Sequence, residues 1–127
     1  MERFQEAANQ SSLNPILRVW RNAGYMITEL PSLLGEATLI SLDHDLYKYD
    51  DSEPDPGSGR DVANYLATFP PSCPIIVHST NTDAAWGMYN ELTNAMWRVH
   101  LVHHLDEAGW IRDEWLPLAE KLAGNET

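Results

Sequence analysis

Apolar positions along this chain come in short clusters whose spacing switches between helical and extended patterns, separated by stretches rich in Pro, Gly and carboxylates. Asn14-Pro15 reads as a cap followed by proline at a first helical position, and Gly24 as a stop, so a helix is expected over Ile16 to Ala23. Tyr25 to Thr28 then reads as a short strand, and Thr38 to Leu42 as a second, apolar enough to be covered on both faces as parallel strands are. The run from Tyr49 to Gly59 has no apolar periodicity and is expected to be a loop. Val62, Tyr65, Leu66 and Phe69 return to helical spacing, and Pro70-Pro71 ends that helix. The β-branched run Pro74 to Ser79 is the clearest strand. Asn81 or Thr82 then caps a helix expected to bury Met88, Leu92 and Met96. Trp97 to Val102 is a further strand, and Ile111, Trp115, Leu118 and Leu122 mark a last helix with Gly124 just beyond it. Residues 1–13 read as a short helical extension.

Strands alternating with helices of about three turns imply right-handed crossovers and an α/β fold with a small, mostly parallel sheet between two helical layers. In such sheets ligands bind beyond the carboxyl ends of the strands. Two polar clusters fall at such ends, Asp43-His44-Asp45 and His78-Ser79-Thr80-Asn81, and one pocket is expected to hold both.

The chain has 127 residues, enough for one domain with one core. Its 19 acidic against 8 basic residues give a formal charge of −11, which repels polyanions and argues against duplex DNA as a partner. A small phosphate-containing ligand, a nucleotide, an RNA end or a divalent cation is compatible with that charge. The single cysteine, Cys73, excludes an internal disulfide and is expected to be a buried structural thiol. No segment has 18 consecutive apolar residues and the first residues lack a signal-peptide core, so no membrane association and a cytoplasmic location are expected.

Asp43 and Asp45 share a face if the strand persists past Leu42, with His44 opposite. Two carboxylates together suit a divalent cation such as Mg or Mn, or an acid–base pair. The structural alternative has Asp43 capping a turn while His44 and Asp45 bond to loop backbone. His78 and Thr80 likewise share a face, pairing an imidazole for proton transfer with a hydroxyl for a phosphoryl oxygen. Ser79, Asn81 and a helix N-terminus near Thr82 add donors for phosphate. Asp51, Glu53 and Asp55 alternate like calcium ligands, but Pro56 and Val62 stand where an EF-hand needs Gly and Glu, so a solvated acidic loop is expected. His100, His103 and His104 match no zinc spacing. Arg60 is expected either to clamp an anion or to pair nearby, and Trp86 and Trp110 to be surface residues.

The order of these pieces resembles a response-regulator receiver domain, with Asp43 at the phosphoacceptor position and Ser79 at the hydroxyl that senses phosphate. Receivers carry an acidic pair at the end of a first strand and a Lys after their fifth. Here Met1 to Ala8 reads as helix and Arg98-Val99-His100 stands at the other place, so the first strand is missing or replaced. Leu42-Asp43-His44-Asp45-Leu46, Gly59-Arg60-Asp61-Val62, His78-Ser79-Thr80-Asn81 and Arg98-Val99-His100 together resemble the cyclic-phosphate processing receiver domains, over about residues 24 to 118. That resemblance implies a phosphoesterase-like domain that processes or binds cyclic or terminal phosphates of RNA or nucleotides. His78 and His44 would be acid or base, Asp43 and Asp45 would hold a metal or orient the imidazoles, and Ser79, Thr80, Asn81 and Arg98 would bind phosphate. The competing expectation is a non-catalytic pseudo-receiver that docks a protein partner or captures a nucleotide.

Overall fold

Three short parallel strands lie side by side in the order β1 (Ile40–Asp43), β2 (Ile75–Ser79) and β3 (Val99–His103). This computed structural model describes residues 2–11, 16, 18–46, 51–103 and 109–124, apart from the side chains of residues 2, 3, 8, 10 and 103. The helices are α1 (Glu2–Gln10), α2 (Ala23–Leu33), α3 (Gly59–Leu66), α4 (Thr82–Asn94) and α5 (Leu116–Gly124), the last entered through a π-helical turn at Ile111–Trp115. The chain is therefore an α/β domain with a small open parallel sheet, as its alternating pattern implies. Among the described residues no strand precedes β1.

Side chains alternate across the sheet, and the two faces build two clusters. Ile40, Leu42, Ile75 and Val77 pack with Leu30 of α2, Val62 and Leu66 of α3, and Met88 and Leu92 of α4. Ile76 and Val102 face the other way, onto Ala7 of α1, Ile111 and Trp115 of the π turn, and Ala119 and Leu122 of α5. β2 is buried along its whole length, which is why it reads as a continuous apolar run rather than an alternating one.

Two expected elements near the amino end are corrected. Residues 16 and 18–22 form no helix, and Tyr25 to Thr28 is no strand: both give way to α2, which starts at Ala23. The signal that decides is Asn22, whose side chain accepts the Tyr25 N–H at 3.1 Å. From there Ala23, Met26, Ile27, Leu30 and Leu34 fall at helical spacing and all pack into the first cluster. Burial of that stripe outweighs the local β-propensity of Tyr25 to Thr28. Asn14 and Pro15 lie outside the described residues.

The later elements lie close to their expected places. Asn81 caps α4 by accepting the Ala84 N–H at 3.1 Å, and Met88 and Leu92 are buried. Met96 is not: it lies beyond the helix at φ 75° and is 80 % exposed. The helix ends before Met96, and the next inward position is taken by Trp97, whose indole N–H donates to the Leu66 carbonyl at 3.1 Å. Phe69 packs against the core from just beyond α3, Cys73 is half-buried beside it, and Gly124 is the last residue of α5 rather than the one after it. No helix among the described residues is long and apolar enough to cross a membrane.

Candidate functional site

Asp43 and His78 are the last-row partners of the β1–β2 ladder. Adjacent strands lie about 4.8 Å apart. Their side chains share the face that carries Ser41, Ile76 and Val102, which is the face covered by α1 and α5. Two clusters 35 positions apart in the chain thus meet at one end of the sheet, where Leu42 and Val77 hold the strands against α3 and α4.

β1 ends in an Asx turn. The Asp43 carboxylate accepts the Asp45 N–H at 3.2 Å, and the Asp45 carboxylate is 2.8 Å from His44 Nδ1. Asp43 and Asp45 are therefore turned to different partners, and the shared face expected for an extended chain is lost where the strand bends. The pair His44–Asp45 is half-exposed. Burial is the main reason the Asp43 carboxyl is pushed up to about 6, opposed by the Asp45 N–H and reinforced by the Asp45 carboxylate. Among the described residues no group of three or more His, Cys, Asp or Glu side chains is placed so that it could hold a metal ion.

The turn is held from behind by α3. Gly59 N–H donates to the His44 carbonyl at 3.0 Å, and Asp45 bridges to Ser58, so the two ends of the acidic segment are tied together. Ser58 and Asp61 form a capping box that satisfies the first N–H groups of α3. Within the segment, Asp51 and Asp55 are exposed without regular structure, the Asp55 carboxylate accepts the Gly57 N–H, and residues 47–50 lie outside the described set. Arg60 points away from the turn and pairs with Glu91 of α4 at 3.0 Å, which removes it as an anion clamp at this site.

The second cluster divides between the two faces. His78 is only 3 % exposed, with its ring 5.1 Å from Trp110 and 5.6 Å from Phe4 of α1. Ser79 is fully buried on the opposite face, and its hydroxyl accepts the Asn81 N–H at 2.9 Å. With the Asn81 side chain committed to the helix cap, Thr80 is the residue whose exposed hydroxyl stands at the strand end. Arg98 precedes β3, so it lies at the amino end of the sheet, a strand's length from Asp43 and His78. His100 is half-buried inside β3, the His103 side chain is not described, and His104 is outside the described residues.

A cleft of about 540 Å³ runs along the edge of β1 that faces away from β2 and reaches Asp43 and His78. Its walls include Met26 and Leu30 of α2, Leu39, and Trp115, whose indole N–H donates to Ser41 Oγ at 2.9 Å. Sequence reasoning missed the aromatic surround of His78. Trp110 is half-buried against the imidazole rather than a free surface residue, and Phe4 belongs to a segment treated as an extension. A single large apolar residue in an otherwise polar helix was the available signal. Trp86 is surface-exposed as expected, edge-on to Tyr89 at 5.2 Å.

No curated protein and no solved structure matches the chain. The family described as Cyclic-phosphate processing Receiver domain matches residues 14–94, a span holding α2, β1, α3, β2 and α4 and both polar clusters. On that match, which covers more than half of its length, the chain belongs to the cyclic-phosphate processing receiver domain family.

Proposed function

We propose that this domain acts on cyclic or terminal phosphates of nucleotides or RNA ends as a phosphoesterase, with His78 as its central acid–base group. The observation that carries this reading is the register of Asp43 opposite His78 at the carboxyl ends of adjacent strands, beside a cleft. A water molecule attacks phosphorus, and His78 takes its proton. The ionised Asp43 carboxylate across the ladder stabilises the resulting imidazolium, and His44, oriented by Asp45, returns a proton to the leaving oxygen. The exposed Thr80 hydroxyl and backbone N–H groups at the start of α4 supply donors to the phosphate oxygens.

If a divalent cation is bound, Asp43 and Asp45 would hold it together with water and substrate oxygens, and Asp45 would have to turn from His44 to do so. Such an ion would neutralise phosphate charge, and no step above is routed through it. Turnover of 2′,3′-cyclic nucleotides, compared with and without added magnesium or manganese, tests the reading. His78→Ala is expected to lower turnover by about a hundredfold, and a loss below about tenfold would remove the acid–base role.

A second reading, capture of a nucleotide or docking of a partner without chemistry, is favoured by one observation: His78 is 3 % exposed beneath Phe4 and Trp110. Intact cyclic nucleotide recovered in complex after long incubation would support it against the enzyme.

A further inference from the structure

The ring that shields His78 comes from the chain's own amino-terminal helix. Of the described side chains of α1, Gln5, Glu6 and Asn9 are exposed, whereas Phe4 and Ala7 turn inward. The Phe4 ring stands 5.6 Å from His78, 5.9 Å from Trp110 and 4.9 Å from Trp115, nearly perpendicular to both indoles. His78, Trp110 and Trp115 therefore wall a recess one aromatic ring wide, and Phe4 fills it. The recess opens onto the group that the proposed chemistry needs.

Among its described side chains, few hold α1 to the rest of the domain. Phe4 and Ala7 supply its inward contacts among the described side chains, and just past its end the Ser11 hydroxyl donates to Glu120 of α5 at 3.0 Å. A narrow apolar face of this kind undocks more readily than a full stripe. The walls also set what kind of group can replace Phe4. Indole and imidazole rings favour a flat π system, which the two indoles would meet edge to face as they meet Phe4.

We propose that Phe4 stands in for the base of the ligand: when α1 lifts, the recess walled by His78, Trp110 and Trp115 takes a nucleobase, which brings the attached phosphate to Asp43 and His78. The proposal rests on the phosphate reading above and narrows it to nucleotides over base-free phosphates. It also makes α1 a built-in competitor of the substrate.

The test uses the full chain and its Phe4→Ala variant with three probes: adenosine, 2′,3′-cyclic AMP and glycerol 1,2-cyclic phosphate, which has the ring phosphate but no base. Calorimetry is expected to show Phe4→Ala binding adenosine about tenfold more tightly than the native chain. The preference for cyclic AMP over glycerol cyclic phosphate should widen by a similar factor. In the native chain, hydrogen exchange of the α1 amides should speed up with cyclic AMP bound and not with adenosine-free glycerol cyclic phosphate, a readout that does not depend on the variant folding. An unchanged preference in Phe4→Ala, or α1 exchange that is unchanged or slowed by nucleotide, would overturn the base recess. If glycerol cyclic phosphate is meanwhile turned over, the phosphate reading survives that failure. Adenosine bound more tightly by Phe4→Ala, with neither phosphate probe bound or cleaved, would support the recess and remove the phosphate reading.

Discussion

Asp43 is where this site and the stability of the fold meet. Its carboxyl is half-buried at the end of β1, accepts the Asp45 N–H and is pushed up to about 6 from an ordinary value of 3.8, chiefly by burial. An acid whose folded value is raised binds its proton more tightly when folded, so its stabilising contribution is complete below about pH 4 and is lost as pH rises through about 6. Asp43→Asn keeps an oxygen for the Asp45 N–H and removes the charge. It is expected to raise the melting temperature at pH 7.5, with the gain shrinking as pH falls from 6 to 4. Melting curves across that range decide the matter, and a gain of equal size at pH 4 would assign it to something other than ionisation. The proposed role has the opposite demand: turnover should rise as pH passes upward through about 6, where Asp43 ionises, and Asp43→Asn should flatten that rise. The residue types at the site were legible in the sequence, because Asp-His-Asp and His-Ser-Thr-Asn stand at the ends of apolar runs. Their partners were not. A bend after Asp43 and the burial of Ser79 depend on what packs behind each turn.

At the scale of elements, α3 and α4 brace the two turns of the site. A Cβ at Gly59 would run into the Asp43 carbonyl, lying 2.7 Å from its carbon and 3.0 Å from the end of Met88. Gly59→Ala should therefore cost about 2 kcal/mol or more in chemical unfolding, and lower ligand binding as well, since it forces β1 and α3 apart. Asn81→Ala removes the cap of α4 and should cost about 1 kcal/mol, a loss that Asn81→Asp or Asn81→Ser should largely restore. Elements with strong internal signals, such as β2 and α4, were readable because burial and capping agree with local propensity. The region before β1 was not, because Asn14-Pro15 and Asn22 both resemble helix starts. Only the docking of Ala23, Met26, Ile27 and Leu30 against the sheet selects the second.

Across the whole molecule, a formal charge of −11 surrounds a site proposed to receive an anion. Added salt should therefore help rather than hinder. Raising ionic strength from about 0.02 to about 0.2 M is expected to tighten binding of cyclic AMP by about twofold, because screening weakens the repulsive field. A protein that releases counterions from a nucleic acid shows the opposite slope, and that slope here would mark a local cationic site that overrides the net charge.

By itself the sequence determined the α/β alternation, the polar strand ends and the acidic field, since these follow from residue type and short-range spacing. Tertiary structure decided which ends share a row, as in Asp43 against His78, and which do not, as in Arg98 at the far edge. It also decided that Phe4, 74 positions before His78, covers it. Strand register and helix docking are set by burial summed over distant segments, and no local window of residues carries that sum.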